Sequence, residues 1–291
     1  MSRICLLFLL VCALPALRLS AGEEKPAARP LSADSGTLTG ILGAMQLEVS
    51  ILTEALENPV PQTVQQLKFT TGKLNGRNVV VAKAGIGKTN AAFTAALLLE
   101  RFKPAEVLVT GIAGGLNPEL GPADIVVAEK IAHHDFGNLT AQGLESKGTR
   151  NPVTGQRNPI FFPGDARLLG LADVSAARLK LEPLKTATGE RTPKIIKGTV
   201  VTGDVFVAHA EKSAALRKDF NADAVEMEGA SIAQVCFQQG VPCLVIRSLS
   251  DMADATAVKD SANFNKIAAG NSAKLVRDIV AQLANEPARK P

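Results

Sequence analysis

Asp223-Ala-Val-Glu-Met-Glu-Gly-Ala-Ser-Ile-Ala-Gln-Val-Cys236 changes its pattern halfway along. A short apolar run at Ala224 and Val225 leads into two glutamates flanking Met227, and Gly229 opens a stretch with helical spacing. Residues two apart in an extended segment point to one side, so Glu226 and Glu228 are expected to face a common partner. Carboxylates that close repel each other and are costly to strip of water, so a cation or a set of hydroxyls should meet them. Further on, Val245-Ile-Arg-Ser-Leu-Ser-Asp251 is a second apolar strand that ends in an acid. Two such strands predict a polar site along one edge of a sheet. Arg247, alone in its apolar strand, needs a partner, and Glu226 is the expected one, in a structural pair.

Outward from this stretch, strands alternate with helical patterns. Leu38 to Gly43 reads as a strand and Met45 to Leu56 as a helix with one buried face. Two alternating segments, Gln65 to Lys73 and Asn78 to Lys83, flank Asn75-Gly76, a strong hairpin signal. Gly85-Ile-Gly87 leads into a helix from Lys88 to Phe102, and Glu106 to Thr110 and Asp124 to Ala132 follow as strands. Residues 137–165 are polar and too long for an ordinary connection, so a lid or a disordered insertion is expected there. A helix from Ala166 to Leu181, a loop through Pro193 and a strand from Lys197 to Thr202 come next. A helix from His209 to Asp219, the opening stretch with its helix to Gln239, a strand from Pro242 to Leu249 and a last helix from Ser261 to Ala284 complete the chain. The pattern implies a largely parallel sheet with helices on both faces, and ligands at the carboxyl ends of its strands.

Composition narrows the class. The chain has 291 residues, 46% hydrophobic and 21% charged, enough for one large α/β domain. No Trp or Tyr and only 11 Phe leave little for a base-stacking surface, and the Lys and Arg are matched by acids, so no nucleic-acid partner is expected. Arg3, the apolar run Ile4 to Leu17 and the small residues of Leu19-Ser-Ala21 read as a cleaved signal peptide over residues 1–21. That run is too short to span a bilayer, so a secreted or periplasmic protein without stable membrane insertion is expected. Residues 22–37 read as a flexible linker, and residues 38–287 as the folded domain. Without the leader only Cys236 and Cys243 remain, which read as core thiols.

Several motif-like features carry less than they first offer. Ala82-Lys-Ala-Gly-Ile-Gly-Lys-Thr89 resembles a phosphate-cradling loop but has Ala82 where that loop needs glycine. Gly111-Ile-Ala-Gly-Gly115 lacks full dinucleotide spacing and reads as a turn that lets backbone approach a flat ligand. His133 and His134 are adjacent in a strand and should diverge, which argues against a metal pair.

The conjunction of segments is more specific. Gly43-Ala-Met-Gln-Leu-Glu-Val49, Ala84-Gly-Ile-Gly-Lys88, Thr110-Gly-Ile-Ala-Gly-Gly115, Thr202-Gly-Asp-Val-Phe206, Val225-Glu-Met-Glu228 and Ser250-Asp-Met-Ala-Asp254 stand in the order found in the 5′-methylthioadenosine/S-adenosylhomocysteine nucleosidases. The chain resembles that family from Leu38 to Ala284. The resemblance implies an α/β, three-layer nucleoside phosphorylase-like fold, a mixed twisted sheet with helices on both faces, in a homodimer. It also implies hydrolysis of a nucleoside's N-ribosidic bond with no metal and no organic cofactor.

Breaking a purine–ribose bond builds positive charge on the sugar and negative charge on the base, so an acid must protonate the purine while a base activates water. By resemblance Asp251 is the acid and Glu48 the base. Glu228 would accept hydrogen bonds from ribose hydroxyls, Met227 would pack on the sugar and Phe206 would stack on the purine. Met45, Val207, Ala113 and Gly114 would frame the site, and Ser250 would support the purine or Asp251. Water is favoured over phosphate as nucleophile, because the segments Gly43 to Val49 and Ala84 to Lys88 hold no arginine and Ile112 stands where Ser or Thr is common. Alternatives are a nucleosidase for another purine or modified nucleoside such as futalosine, a phosphorylase, or a non-catalytic binding or storage protein.

Overall fold

The structure, a computed structural model, describes residues 37–186 and 189–286. The expected leader, nearly all of the linker and Pro287 lie outside the described residues.

The first half runs β1 (Leu38–Gly43), α1 (Gln46–Thr53), β2 (Glu57–Val64), β3 (Leu67–Leu74), β4 (Arg77–Lys83), α2 (Lys88–Phe102), β5 (Glu106–Val109), β6 (Ile112–Gly115) and β7 (Ile125–His133). Then come β8 (Gly137–Thr140), β9 (Gly143–Ser146), β10 (Phe161–Pro163), α3 (Ala166–Arg178), β11 (Leu184–Thr186), β12 (Gly189–Arg191) and β13 (Ile195–Thr202). The chain closes with α4 (Ala210–Phe220), β14 (Ala224–Glu226), α5 (Gly229–Gln239), β15 (Cys243–Asp251) and α6 (Ala257–Ala284).

Eleven strands form one mixed sheet in the order β10-β7-β13-β14-β6-β15-β5-β1-β4-β3-β2. The pairs around β1, β5 and β15 are parallel, while β6 with β14 and the β2-β3-β4 meander are antiparallel. β7 also pairs antiparallel with β15, which curls β7-β13-β14-β6-β15 into a closed ring. Sheet alternation sorts the core. Leu42, Val80, Val107 and Val245 pack with α2 and α5 on one face. Ile41, Val81, Leu108 and Leu244 pack with α1, α3 and α6 on the other. The result is the expected three layers, with Cys236 and Cys243 as buried free thiols.

Four segments depart from the sequence expectation. β2 was not anticipated because Pro59 and Pro61 break strand propensity; it is the outermost strand, where missing N–H donors cost nothing. Gln65, expected in the following strand, instead shares the β2–β3 turn with Gln66, both at positive φ. Residues 137–165, where a lid or a disordered insertion was expected, are not an irregular insertion: they hold the β8–β9 hairpin, an Arg150–Arg157 β-bridge and β10, which pairs with β7. The expected loop before Pro193 contains the β11–β12 hairpin, pinned where Arg191 pairs with Asp124.

Candidate active site

The carboxyl-terminal residues of β14 and β15, together with Ile112, Ala113 and Gly114 of β6, border one cavity of about 160 Å³ in the middle of the sheet. The polar site lies where β14 and β15 end, as their terminal acids lead one to expect. Met45, Glu48, Ala113, Gly114, Phe206, Met227, Glu228, Ser250 and Asp251 all line it. Val207 does not. It lines the neighbouring cavity with His134, Leu144 and Lys212, and Phe206 is the wall the two share.

Glu48 lies in the first turn of α1 and is almost wholly buried. Its Oε2 accepts from Met45 N at 2.8 Å and its Oε1 from Ile112 N at 3.0 Å. Burial pushes its pKa up, opposed by the Arg247 charge and these N–H donors. The solvated position usual for a glutamate on a surface helix does not apply, because α1 turns this face onto β6.

Asp251 ends β15 at a register shift between Leu249 and Asp251 against β6. In a regular strand neighbours face opposite ways; here the irregularity lets Ser250 and Asp251 both line the cavity. Ser250 Oγ donates to Asp251 Oδ2 at 2.7 Å, and Ala253 N donates to Oδ1 at 2.9 Å. Burial raises the Asp251 pKa against those two donors, with the charges of Asp254 and Asp260 adding to the rise. Ser250 thus supports Asp251 directly.

The two glutamates of the opening stretch do share a cation. Arg247, fully buried, forms an ion pair with Glu226 and lies 3.6 Å from Glu228 Oε2. Glu226 also accepts from Thr202 Oγ1, from Glu228 N at 3.0 Å and from Gly229 N at 2.7 Å, so it is saturated and holds the strand ends together. Glu228 keeps more free capacity: Gly87 N donates to its Oε1 at 2.8 Å. Burial, then the neighbouring Glu226 charge, raises its pKa to about 7, against the pull of Arg247.

Gly111, just before β6, and Gly114, within it, make this closeness possible. A Cβ on Gly111 would overlap Arg247 Nη1 and lie 2.6 Å from Glu48 Oε1; one on Gly114 would lie 2.9 Å from Asp251 Oδ1. Of the turn expected to approach a flat ligand, Ala113 and Gly114 line the cavity, while at Gly111 the space is occupied by the side chains of Arg247 and Glu48. His133 and His134 diverge as expected: His133 Nε2 contacts Gln234 Oε1 at 3.1 Å, and His134 packs against Gly203. Sequence reading missed Ala44, Ile86, Val225, Ser261 and Asn265 as lining residues, and missed the Gly87 N–H as a donor. Ser261 and Asn265 are four apart on α6 and share a helix face, but nothing in their spacing tells which face meets the cavity.

Comparison with known proteins agrees with this geometry. A family profile described as the phosphorylase superfamily matches residues 39–281. The 5′-methylthioadenosine/S-adenosylhomocysteine nucleosidase of Anoxybacillus flavithermus is 40% identical over 244 residues, covering 84% of this chain and 97% of that protein. The Neisseria meningitidis enzyme of the same name, solved with methylthio-immucillin-A, superposes with a TM-score of 0.73 at 35% identity, over 84% of this chain and 99% of that one. A futalosine hydrolase mutant from Helicobacter pylori has a TM-score of 0.72 at 30% identity, over 84% of this chain and 99% of that one. The chain belongs to the 5′-methylthioadenosine/S-adenosylhomocysteine nucleosidase family, within the phosphorylase superfamily.

Proposed function

We propose that the protein hydrolyses the N-ribosidic bond of 5′-methylthioadenosine, S-adenosylhomocysteine and similar nucleosides, releasing adenine. The observation that carries this reading is the cavity lining: Glu48, Glu226, Glu228 and Asp251 line it, with no lysine or arginine among the described lining residues. A phosphate dianion entering such a wall would meet like charge with no fixed cation to hold it, whereas neutral water meets no such barrier. Arg247 does not change this, because Glu226 and Glu228 already engage it.

In this reading Asp251, its pKa raised by burial, gives a proton to the five-membered ring of the leaving purine. Glu48, oriented by two N–H donors and beside the Arg247 charge that opposes the rise in its pKa, takes a proton from water as that water attacks the sugar. Glu228 accepts from the ribose hydroxyls, Met227 packs on the sugar and Phe206 stacks on the base. The protein acts as an exported homodimer. The leader-like residues 1–21 support export. Ile86 and Phe206, 54% and 53% exposed at the cavity rim, are apolar side chains that a second subunit would cover.

Purine release from a panel of 5′-methylthioadenosine, S-adenosylhomocysteine, futalosine, adenosine and inosine, with and without phosphate, tests the reaction. Adenine release from the first two at a rate independent of phosphate is expected. Strict phosphate dependence would establish a phosphorylase, preference for futalosine would change the substrate, and binding without turnover would establish a storage protein.

A further inference from the structure

Beside the cavity lies a group of charges that the proposed chemistry leaves unused. Lys88 Nζ donates to Asp135 Oδ1 at 2.5 Å. The other oxygen of Asp135 accepts from Asp204 N at 2.9 Å, and Asp204 Oδ1 accepts from Lys88 N at 2.7 Å. The start of α2, the turn after β7 and the turn after β13 are thereby closed into one ring of hydrogen bonds. Burial alone would raise the Asp135 pKa, yet the Lys88 ammonium and the Asp204 N–H hold it below the usual carboxylate range.

The ring meets the cavity at two points. Gly87, next to Lys88, donates its N–H to Glu228 Oε1 at 2.8 Å. Phe206, which lines the cavity, stands two residues beyond Asp204. Gly85 and Gly87 have φ of 83° and 92°, so the Gly85-Ile86-Gly87 turn has wide backbone freedom and its orientation must be imposed from outside. Asn90 Nδ2 holds the Ile86 carbonyl at 2.8 Å, and the ring holds the other end of the turn.

We propose that Asp204, braced by Asp135 and Lys88, is a positioning residue that keeps the Gly87 N–H on the Glu228 carboxylate and Phe206 over the cavity. The inference rests on reading Glu228 and Phe206 as substrate contacts. The Lys88 and Asp135 side chains are 21% and 27% exposed, where an ion pair adds little to global stability, so variants of the ring should fold. Glu228 also faces Glu226 on β14, Arg247 on β15 and Glu48 on α1, and none of these hydrogen-bonds to Asp204.

Charge and position predict opposite signs. Removing Asp204 takes away a negative charge, which through Coulomb forces alone makes Glu228 easier to ionise; loss of the Gly87 N–H makes it harder. The test is a carboxyl titration of the full chain by NMR with ¹³C-labelled glutamate, the Glu228 signal assigned through Glu228→Gln. Kinetics are measured in parallel on the nucleoside that the wild-type protein hydrolyses best. Asp204→Ala should raise the Glu228 midpoint and raise KM on the order of tenfold, as expected for one hydrogen bond to a charged acceptor, with kcat little changed. Asp204→Asn, which keeps an oxygen for Lys88 N, should restore both values. An unchanged or lowered midpoint in Asp204→Ala, or an equal loss in Asp204→Asn, overturns the proposal. A wild-type protein that hydrolyses no nucleoside refutes the functional reading, while the midpoint still decides whether the ring positions Gly87.

Discussion

Asp251 joins two properties that a surface aspartate lacks: burial that raises its pKa, and a hydroxyl and an N–H that fix its orientation. Asp251→Asn keeps an oxygen for the Ala253 N–H but cannot donate a proton as a carboxylic acid does. We expect kcat to fall about 10²- to 10⁴-fold, the usual worth of one general acid, with the thermal midpoint retained. Steady-state rates beside a melting curve check this, and wild-type turnover in the variant would remove Asp251 from its role. Asp251 was legible in the sequence as the acid that ends an apolar strand, and the resemblance to the family suggested the role we propose for it. Ser250 was expected to support either the purine or Asp251; that it holds Asp251, with the Ala253 N–H as second donor, was not legible, because both depend on the irregular end of β15.

At the scale of elements, β6 is the thin wall between the two halves of the site. Its Ile112 N–H holds Glu48 on one side, and Gly114 packs against Asp251 on the other. Gly111→Ala would drive a methyl into Arg247 and Glu48 together. Relieving that overlap must displace a buried guanidinium or the carboxylate, so we expect a loss of about 1–3 kcal/mol in stability and a larger proportional loss in kcat/KM. Denaturant unfolding measures the first and nucleoside hydrolysis the second; a variant as stable and active as wild type would show that β6 can move. The glycine cluster was plain in the sequence. What it accommodates was not, since Arg247 and Glu48 approach Gly111 from far along the chain.

The whole molecule carries the cost of gathering these carboxylates. The folded-state pKa of Glu228, about 7 against an ordinary 4.5, means the folded protein holds a proton there that the unfolded chain has already lost. Its contribution to stability is complete below the unfolded value and disappears as pH rises through the folded one. Glu48 and Asp251 shift in the same direction. Relative to Glu228→Gln, the ligand-free wild-type protein is therefore expected to lose ~1–3 kcal/mol of stability as pH goes from roughly 5 to 8, the comparison removing the opposite contribution of the buried His133 and His134. Melting curves across pH for the two proteins check it; parallel curves would mean Glu228 ionises normally. By itself the sequence determined the alternation of strands and helices, the two buried faces, the Asn75-Gly76 hairpin, and the motif residues Glu48, Glu228 and Asp251. These follow from local periodicity, turn chemistry and short motifs, all properties of neighbouring residues. Only the tertiary structure decided that β7 closes against β15, that 137–165 holds three short strands, that Val207 lies outside the cavity while Ser261 and Asn265 line it, and that the Arg247 expected to pair with Glu226 lies near Glu228 as well. Those outcomes depend on pairings between distant segments, where packing and charge compensation are settled once the sheet has curled.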